Sequence, residues 1–179
     1  ERGDSPALTV RLPGAPADKV QRLPLGEITR ISLASDRVQF LSALEPRRAE
    51  QMPVLGKGFP YRRDLCVSGD PLRLGGRLYR RGLGVHSRSV LEYDLGGRYR
   101  AMAAVIGLDD SAAGRGSVTF RVLADGKEIY QKDMEGTGAP EAISLPMDGV
   151  QALRLEVDYG SDGLDIGDRA DWADARVIR

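Results

Sequence analysis

Cysteine is almost absent from this sequence. Cys66 stands alone among 179 residues, which excludes an internal disulfide framework and a thiolate-held metal cluster. Flanked by Leu65 and Val67, it reads as a small buried hydrophobe. Histidine and tryptophan are as scarce, each present once, as His86 and Trp172. An excess of one charge is missing too. Basic and acidic residues number 26 each, so no bulk positive field favours nucleic acid or an anionic membrane. No apolar run reaches the roughly 18 residues of a membrane span, which argues against direct membrane insertion, and there is no signal-like hydrophobic stretch. The first residue is Glu1 rather than Met, so the expectation is an excised or processed piece of a longer parent. A helical period is absent as well: no 3.6-residue apolar pattern persists over three turns. There is no internal repeat and no low-complexity tract.

What is present is β material punctuated by glycine. Hydrophobic residues make up 41% and charged residues 29%, ordinary for a soluble globular chain of one domain or one domain with a partial neighbour. The most organised stretch is Leu74-Gly-Gly-Arg-Leu-Tyr-Arg-Arg-Gly-Leu-Gly-Val-His-Ser87. Gly75-Gly76 between Leu74 and Leu78 predicts a two-residue hairpin turn, where positive φ carries no steric cost for glycine. Gly82 and Gly84 then alternate with Leu83 and Val85, and glycine inside a strand marks a place where a ligand or another backbone comes close. His86 emerges from that segment. Leu91, Tyr93 and Leu95 alternate with acidic residues and predict the next strand, with Gly96-Gly97 as its turn. Residues 100–106 are apolar on both faces and predict a central, covered strand. A loop over 107–116 follows. Val118, Phe120 and Val122 alternate, Asp125-Gly126 is a hairpin turn, and Glu128-Ile129-Tyr130 returns. Ile143, Leu145 and Met147, then Leu153, Leu155 and Val157, then residues 176–178 complete the set. Many short strands with Gly-rich turns predict an all-β, antiparallel β-sandwich.

The first 35 residues differ. Residues 1–6 are a polar lead-in, and its Arg2-Gly3-Asp4 is an adhesion tripeptide in spelling only. Short alternating pieces, Leu8–Leu12 and Ile28–Leu33, are split by Pro13, Pro16, Pro24 and nearby glycines. They are either the end of a preceding region or an extension packed on the next. The division expected is 1–35 and 36–179. Residues 45–53 predict a Pro-bounded loop, Phe59-Pro60-Tyr61 a connector, and residues 64–67 a strand.

Residues suited to chemistry are few. Residues 158–174 predict a loop between two strands, with six aspartates and Arg169. Carboxylates in such a loop ligate a hard cation, accept hydrogen bonds from hydroxyls, or cap turns. Their spacing does not fit the Asp-x-Asp-x-Asp-Gly calcium loop. Calcium held by one or two of them with distant carbonyls remains compatible, although turn capping suits most of the six. Trp172 reads as a core anchor rather than a sugar platform. His86 reads equally as a structural imidazole and as a ligand contact. There is no Gly-x-Ser-x-Gly elbow, no nucleophile paired with His86, and no phosphate loop opening a helix.

Several blocks together resemble the NPCBM family, which is related to carbohydrate-binding module family 51. They are the 74–87 stretch, Tyr93-Asp-Leu-Gly-Gly-Arg-Tyr99, Gly107-Leu-Asp-Asp110, Gly116-Ser-Val-Thr-Phe-Arg-Val122 with Asp125-Gly126, and Ala170-Asp-Trp-Ala-Asp-Ala175. The resemblance covers about residues 36–179. It implies a galactose-binding-like jelly roll, a non-catalytic module of a multidomain, extracytoplasmic (secreted, periplasmic or cell-surface) protein, and a shallow site for a glycan or small saccharide. His86, Asp109, Asp110, Asp165 and Asp168 would lie near that site. A structural calcium (Ca2+) is also implied, with Asp174 the side chain assigned to it. Tyr79, Tyr159 and Phe59 are the candidates for stacking on sugar rings. One departure is Leu41-Ser-Ala-Leu44, where the family commonly has Leu-Ser-Asp-Leu; Ala43 removes a capping bond or a calcium ligand. The functional expectation is a module that tethers a parent protein to glycans. The rival is a structural or protein-interaction domain of a surface protein, and the remaining alternative is a hydrolase built on His86 with a nearby aspartate.

Overall fold

Apolar residues at every second position give strands one face to bury, and here the strands bury it in antiparallel ladders. The protein is described as a computed structural model, covering residues 7–10, 20–27, 36–52 and 58–179. The chain divides into two units, residues 1–34 and 35–179. In the first, β1 (Ala7–Val10) pairs antiparallel with β2 (Gln21–Pro24). The polar lead-in 1–6 and the piece Ile28–Leu33 lie outside the described residues.

The second unit holds β3 (Val38–Phe40), β4 (Arg48–Gln51), β5 (Arg62–Arg63), β6 (Arg73–Leu74), β7 (Arg77–Leu78), β8 (Gly82–His86), β9 (Ser89–Asp94) and β10 (Ala101–Leu108). It continues with β11 (Ser117–Ala124), β12 (Lys127–Glu135), β13 (Glu141–Pro146), β14 (Ala152–Tyr159) and β15 (Arg169–Ile178). Among the described residues there is no α-helix. One sheet runs β13-β10-β15-β8-β5, with β3 also on β15; the other runs β12-β11-β14-β9-β4. This is the antiparallel β-sandwich of galactose-binding-like jelly-roll type that the strand pattern and the family resemblance predict. Trp172 on β15 and Phe120 on β11 meet edge to face across the core, with centroids 4.9 Å apart. Trp172 is 1% exposed, so it is a core anchor.

The glycines of β8 do what their alternation predicts. A Cβ at Gly84 would lie 2.4 Å from the Leu65 carbonyl oxygen and 2.5 Å from Cys66 Cα. The chain at 65–66 therefore lies directly on β8. Cys66 joins Leu72, Leu74, Tyr79 and Ala173 in a second apolar cluster. Ala173 neighbours the core residue Trp172 on a strand, so this cluster covers the outer face of the first sheet. That cover is why β10, with Ala103 and Ala104 both buried, has no solvated face.

Three expectations change. Residues 48–51, expected in a loop, form β4, an edge strand on β9 whose largely exposed side chains leave no apolar alternation to read. Residues 64–67 are not a strand. Asp64 has φ 59°, and the Gly69 N–H bonds the Cys66 carbonyl in a turn, so the apolar residues there serve the outer cluster instead. The last strand begins at Arg169, not near 176, because β15 is covered on both faces and carries a buried Asp171 that interrupts its apolar pattern. Asp174 is thus mid-strand, at φ 49°, in a bulge where β15 changes partner from β8 to β3.

Candidate functional site

β8 ends on His86 opposite Arg169, the first residue of β15. That pairing brings His86 to the same end of the sandwich as the loop before Arg169. The 109–116 loop reaches there as well, and the two loops touch through glycine: a Cβ on Gly116 would lie 2.4 Å from the Gly167 carbonyl oxygen. Between them lies an open cleft of about 320 Å³. His86, Asp165, Arg115 and Arg169 supply its polar lining; Phe59, Ala112, Ile166 and Gly167 supply the rest.

Phe59 lies flat on the imidazole, with centroids 4.5 Å apart and planes 15° from parallel. Its own N–H donates to Gln51 Oε1 on β4 at 2.7 Å, which fixes the approach of the connector. Burial, assisted by the nearby Arg169 cation and opposed by Asp165, lowers the His86 pKa from its ordinary value, so the ring is neutral at physiological pH. Arg169 Nη1 donates to the Ser111 carbonyl at 3.0 Å and Arg115 Nε to the Ala112 carbonyl at 3.3 Å, which holds both guanidiniums at the rim. Ile166 is 63% exposed there, an apolar edge beside the charges.

The site residues expected from the sequence separate into groups. His86 and Asp165 line the cleft. Asp168 is beneath it, fully buried, with Oδ1 accepting from the Ser117 N–H at 3.0 Å. Burial pushes its pKa up to about 6, with Asp162 and Asp165 adding to the rise and the Ser117 N–H and Ser87 hydroxyl opposing it. Asp109 and Asp110 are not brought to His86: they line a separate hollow of about 350 Å³ with Arg73 and Ser111. Both act on backbone. Asp109 accepts from Arg73 N and Ser111 N, each at 2.9 Å, and Asp110 from Gly75 N and Gly76 N.

Beside Asp109 is Asp171, fully buried. Burial, then the adjoining Asp109, holds its pKa well above the carboxylate range. Burial also acts to raise Asp109, but the Ser111 and Arg73 N–H groups that donate to it outweigh this and leave it low. Asp171 is therefore the neutral member of the pair and Asp109 the charged one.

Asp174 stands five residues along β15 from Arg169, on the order of 15 Å at strand rise. Its backbone is engaged, donating to the Arg81 carbonyl and accepting from Arg176. Among the described residues no three His, Cys, Asp or Glu side chains are gathered as for a metal. Ala43 is exposed in a 3-10 turn, Leu41–Ala43. Of the three candidate stacking aromatics, only Phe59 lines the cleft; Tyr79 is buried in the outer cluster and Tyr159 lies under Arg88. Arg115 and Ile166 were not legible as site residues. The signals that point to them are the flanking Gly114 and Gly116, and an exposed apolar residue within an acidic loop.

The NPCBM/NEW2 domain model matches residues 37–178. The chain belongs to that family. Among curated proteins, one from Renibacterium salmoninarum that carries the name of an endo-alpha-N-acetylgalactosaminidase is 38% identical over 112 residues, 62% of this chain and 7% of that one. Alpha-1,3-galactosidase B of Akkermansia muciniphila is 30% identical over 118 residues, 63% of this chain. The matches span only 7% and 15% of these relatives' lengths. Among solved structures, CBM51-2 with the INT domains of Clostridium perfringens ZmpB, in complex with GlcNAc, superposes with TM-score 0.72 at 27% identity over 80% of this chain and 32% of that chain. The CBM51 of Clostridium perfringens GH95, in complex with methyl-galactose, superposes with TM-score 0.71 at 26% identity over 79% of this chain and 99% of that one. Among the described residues no helix is long and apolar enough to cross a membrane.

Proposed function

We propose that residues 35–179 are a non-catalytic sugar-binding module that tethers a larger extracytoplasmic protein to glycans. The observation that carries this reading is the cleft over the end of β8. It combines a flat aromatic–imidazole stack, two rim guanidiniums, one carboxylate and an apolar edge in a volume at the low end of small-ligand sites. A sugar offers the complementary surface: hydroxyls that both donate and accept, and C–H faces that suit Phe59 and Ile166. The sugar-bound structures of similar modules support the same choice of ligand, with galactose- and N-acetylglucosamine-ended glycans as the first candidates. A hydrolytic role lacks a nucleophile. The one hydroxyl bonded to His86 belongs to Ser87, which is 2% exposed and out of a substrate's reach.

The test is a glycan array followed by calorimetric titration with methyl-galactose and GlcNAc, using the native chain, Phe59→Ala and His86→Ala. Binding by the native chain that both variants lose, with unchanged Tm, is the expected result. A native chain that binds no glycan would transfer the role to protein contact, with the exposed Leu164 and Ile166 as its first surface.

A further inference from the structure

The cleft over the end of β8 is lined by charges that have no counter-charge. Arg169 spends Nη1 on the Ser111 carbonyl, and Arg115 spends Nε on the Ala112 carbonyl. A guanidinium has several further N–H donors, and here the rest make no hydrogen bond to any described residue. Neither arginine forms an ion pair with a carboxylate among the described residues. Asp165, half-buried in the same lining, is in no ion pair either. The other carboxylates of that loop are engaged elsewhere. Asp168 is buried with Oδ1 on the Ser117 N–H, and Asp162 accepts from the Leu164 N–H. With His86 neutral, the two guanidiniums are the positive charge of the cleft.

Their anchors are neighbours. Ser111 and Ala112 are consecutive residues of one 3-10 turn, Asp110–Ala112, so both guanidiniums are tethered to adjoining carbonyls on a single rim. Arg169 is further held by its place on β15, opposite His86. Arg115 is held against the facing loop, where a Cβ on Gly167 would lie 2.9 Å from its own Cβ. A sugar hydroxyl can accept one N–H from such a pair but leaves the charge uncompensated. An anionic oxygen gives a charge-assisted bond, and the planar fork of arginine matches the paired oxygens of a carboxylate or a sulfate.

We infer that Arg115 and Arg169 together read an anionic substituent on the glycan, a sulfate ester or a carboxylate, while Asp165 accepts from hydroxyls of the same sugar. This rests on the sugar-binding reading above. It narrows the ligand from galactose- and N-acetylglucosamine-ended glycans in general to their acidic forms, with Phe59 and Ile166 left to meet the C–H faces.

The test is calorimetric titration of the native chain with methyl-galactose and GlcNAc, with their O3- and O6-sulfates, and with methyl galacturonide. At least one acidic form should bind about tenfold tighter than its neutral parent, the gain of one bond to a charged group. The sulfated and carboxylated sugars separate the two anions. Arg115→Gln and Arg169→Gln, with Trp172 emission confirming the fold, should each remove most of that preference. Arg80→Ala, which removes an exposed cation ahead of the far end of β8, should leave it intact. Acidic sugars that bind no tighter than their parents overturn the inference and leave the sugar-binding reading standing. A preference kept by both glutamine variants overturns it as well, and so does one that Arg80→Ala lowers as much, since diffuse charge would then suffice. Inorganic sulfate is the remaining arm: binding as tight as that of the sulfated sugar would make this a site for a free anion and overturn the glycan part. Should neither glutamine variant fold, the native ratios and the sulfate arm decide. A chain that binds no sugar, neutral or acidic, refutes the functional reading and this inference together.

Discussion

Replacing Gly84 by alanine measures how closely the segment that carries Phe59 is laid on β8. The added Cβ would sit 2.4 Å from the Leu65 carbonyl oxygen, 2.5 Å from Cys66 Cα and 2.6 Å from the Cys66 carbonyl carbon. All three are backbone atoms, so no rotamer change relieves the overlap. Ordinary contact of about 3.5 Å requires the segment to lift by about 1 Å. Gly84 pairs on one side with Arg62 of β5 and on the other with Asp171 of β15, so β8 has no freedom to recede. Overpacking a closed site costs about 1–3 kcal/mol, and the upper end applies where backbone must move and the fully buried Cys66 loses its packing. At about 2–4 °C per kcal/mol, the fall in Tm is about 6–12 °C. The displacement also takes Phe59 off His86, so sugar affinity should fall in whatever fraction remains folded. Trp172 emission follows unfolding of this unit without a label. Gly26→Ala, where an added methyl meets nothing within 4 Å, is the control. A Gly84→Ala protein melting within about 1 °C of the native chain would refute the close approach.

Three further outcomes are expected. The raised pKa of Asp168 means that its contribution is fully present below the unfolded value of 3.8 and is lost as pH rises through about 6. Urea unfolding between those limits should show stability falling with pH by up to about 3 kcal/mol, a fall that Asp168→Asn abolishes. Asp109→Ala deprives the Arg73 and Ser111 N–H groups of their acceptor and should cost about 2 kcal/mol, whereas Asp171→Asn replaces a buried neutral carboxyl group by a neutral amide of the same shape and should melt near the native temperature. Phe59→Ala uncovers the imidazole; since burial is the main cause of its lowered pKa, the His86 titration should move upward, and an unmoved titration contradicts that cause.

How the six C-terminal aspartates divide shows where sequence reasoning stops. Asp158, next to the last residue of β14, is in an ion pair with Arg121, and Asp162 caps a turn through the Leu164 N–H. Asp165 lines the cleft, while Asp168 and Asp171 are buried in different surroundings. Asp174 holds a strand bulge. In the sequence these six are one acidic loop. Burial and partner identity separate them, and neither is carried by spacing along the chain. The Asp109-Asp110 pair shows the converse: it lies beside the glycines that the sequence singles out, but Asp110 accepts from Gly75 and Gly76 and Asp109 from Arg73 and Ser111, rather than either facing His86.

The sequence by itself determined most of the strands, the sandwich class and the hairpin turns at Gly75-Gly76 and Asp125-Gly126, because alternation and φ are local properties. It also determined that a single histidine would end a strand made for close approach. Tertiary structure decided what approaches: the backbone at Leu65 and Cys66, which lies on Gly84. It decided that Phe59, rather than Tyr79 or Tyr159, meets the imidazole, and that β15 starts seven residues early with a carboxyl group in its buried face. Those outcomes depend on contacts between segments far apart in the chain, where the hydrogen-bond partners and the covering layer, not residue type, set which side chains are buried.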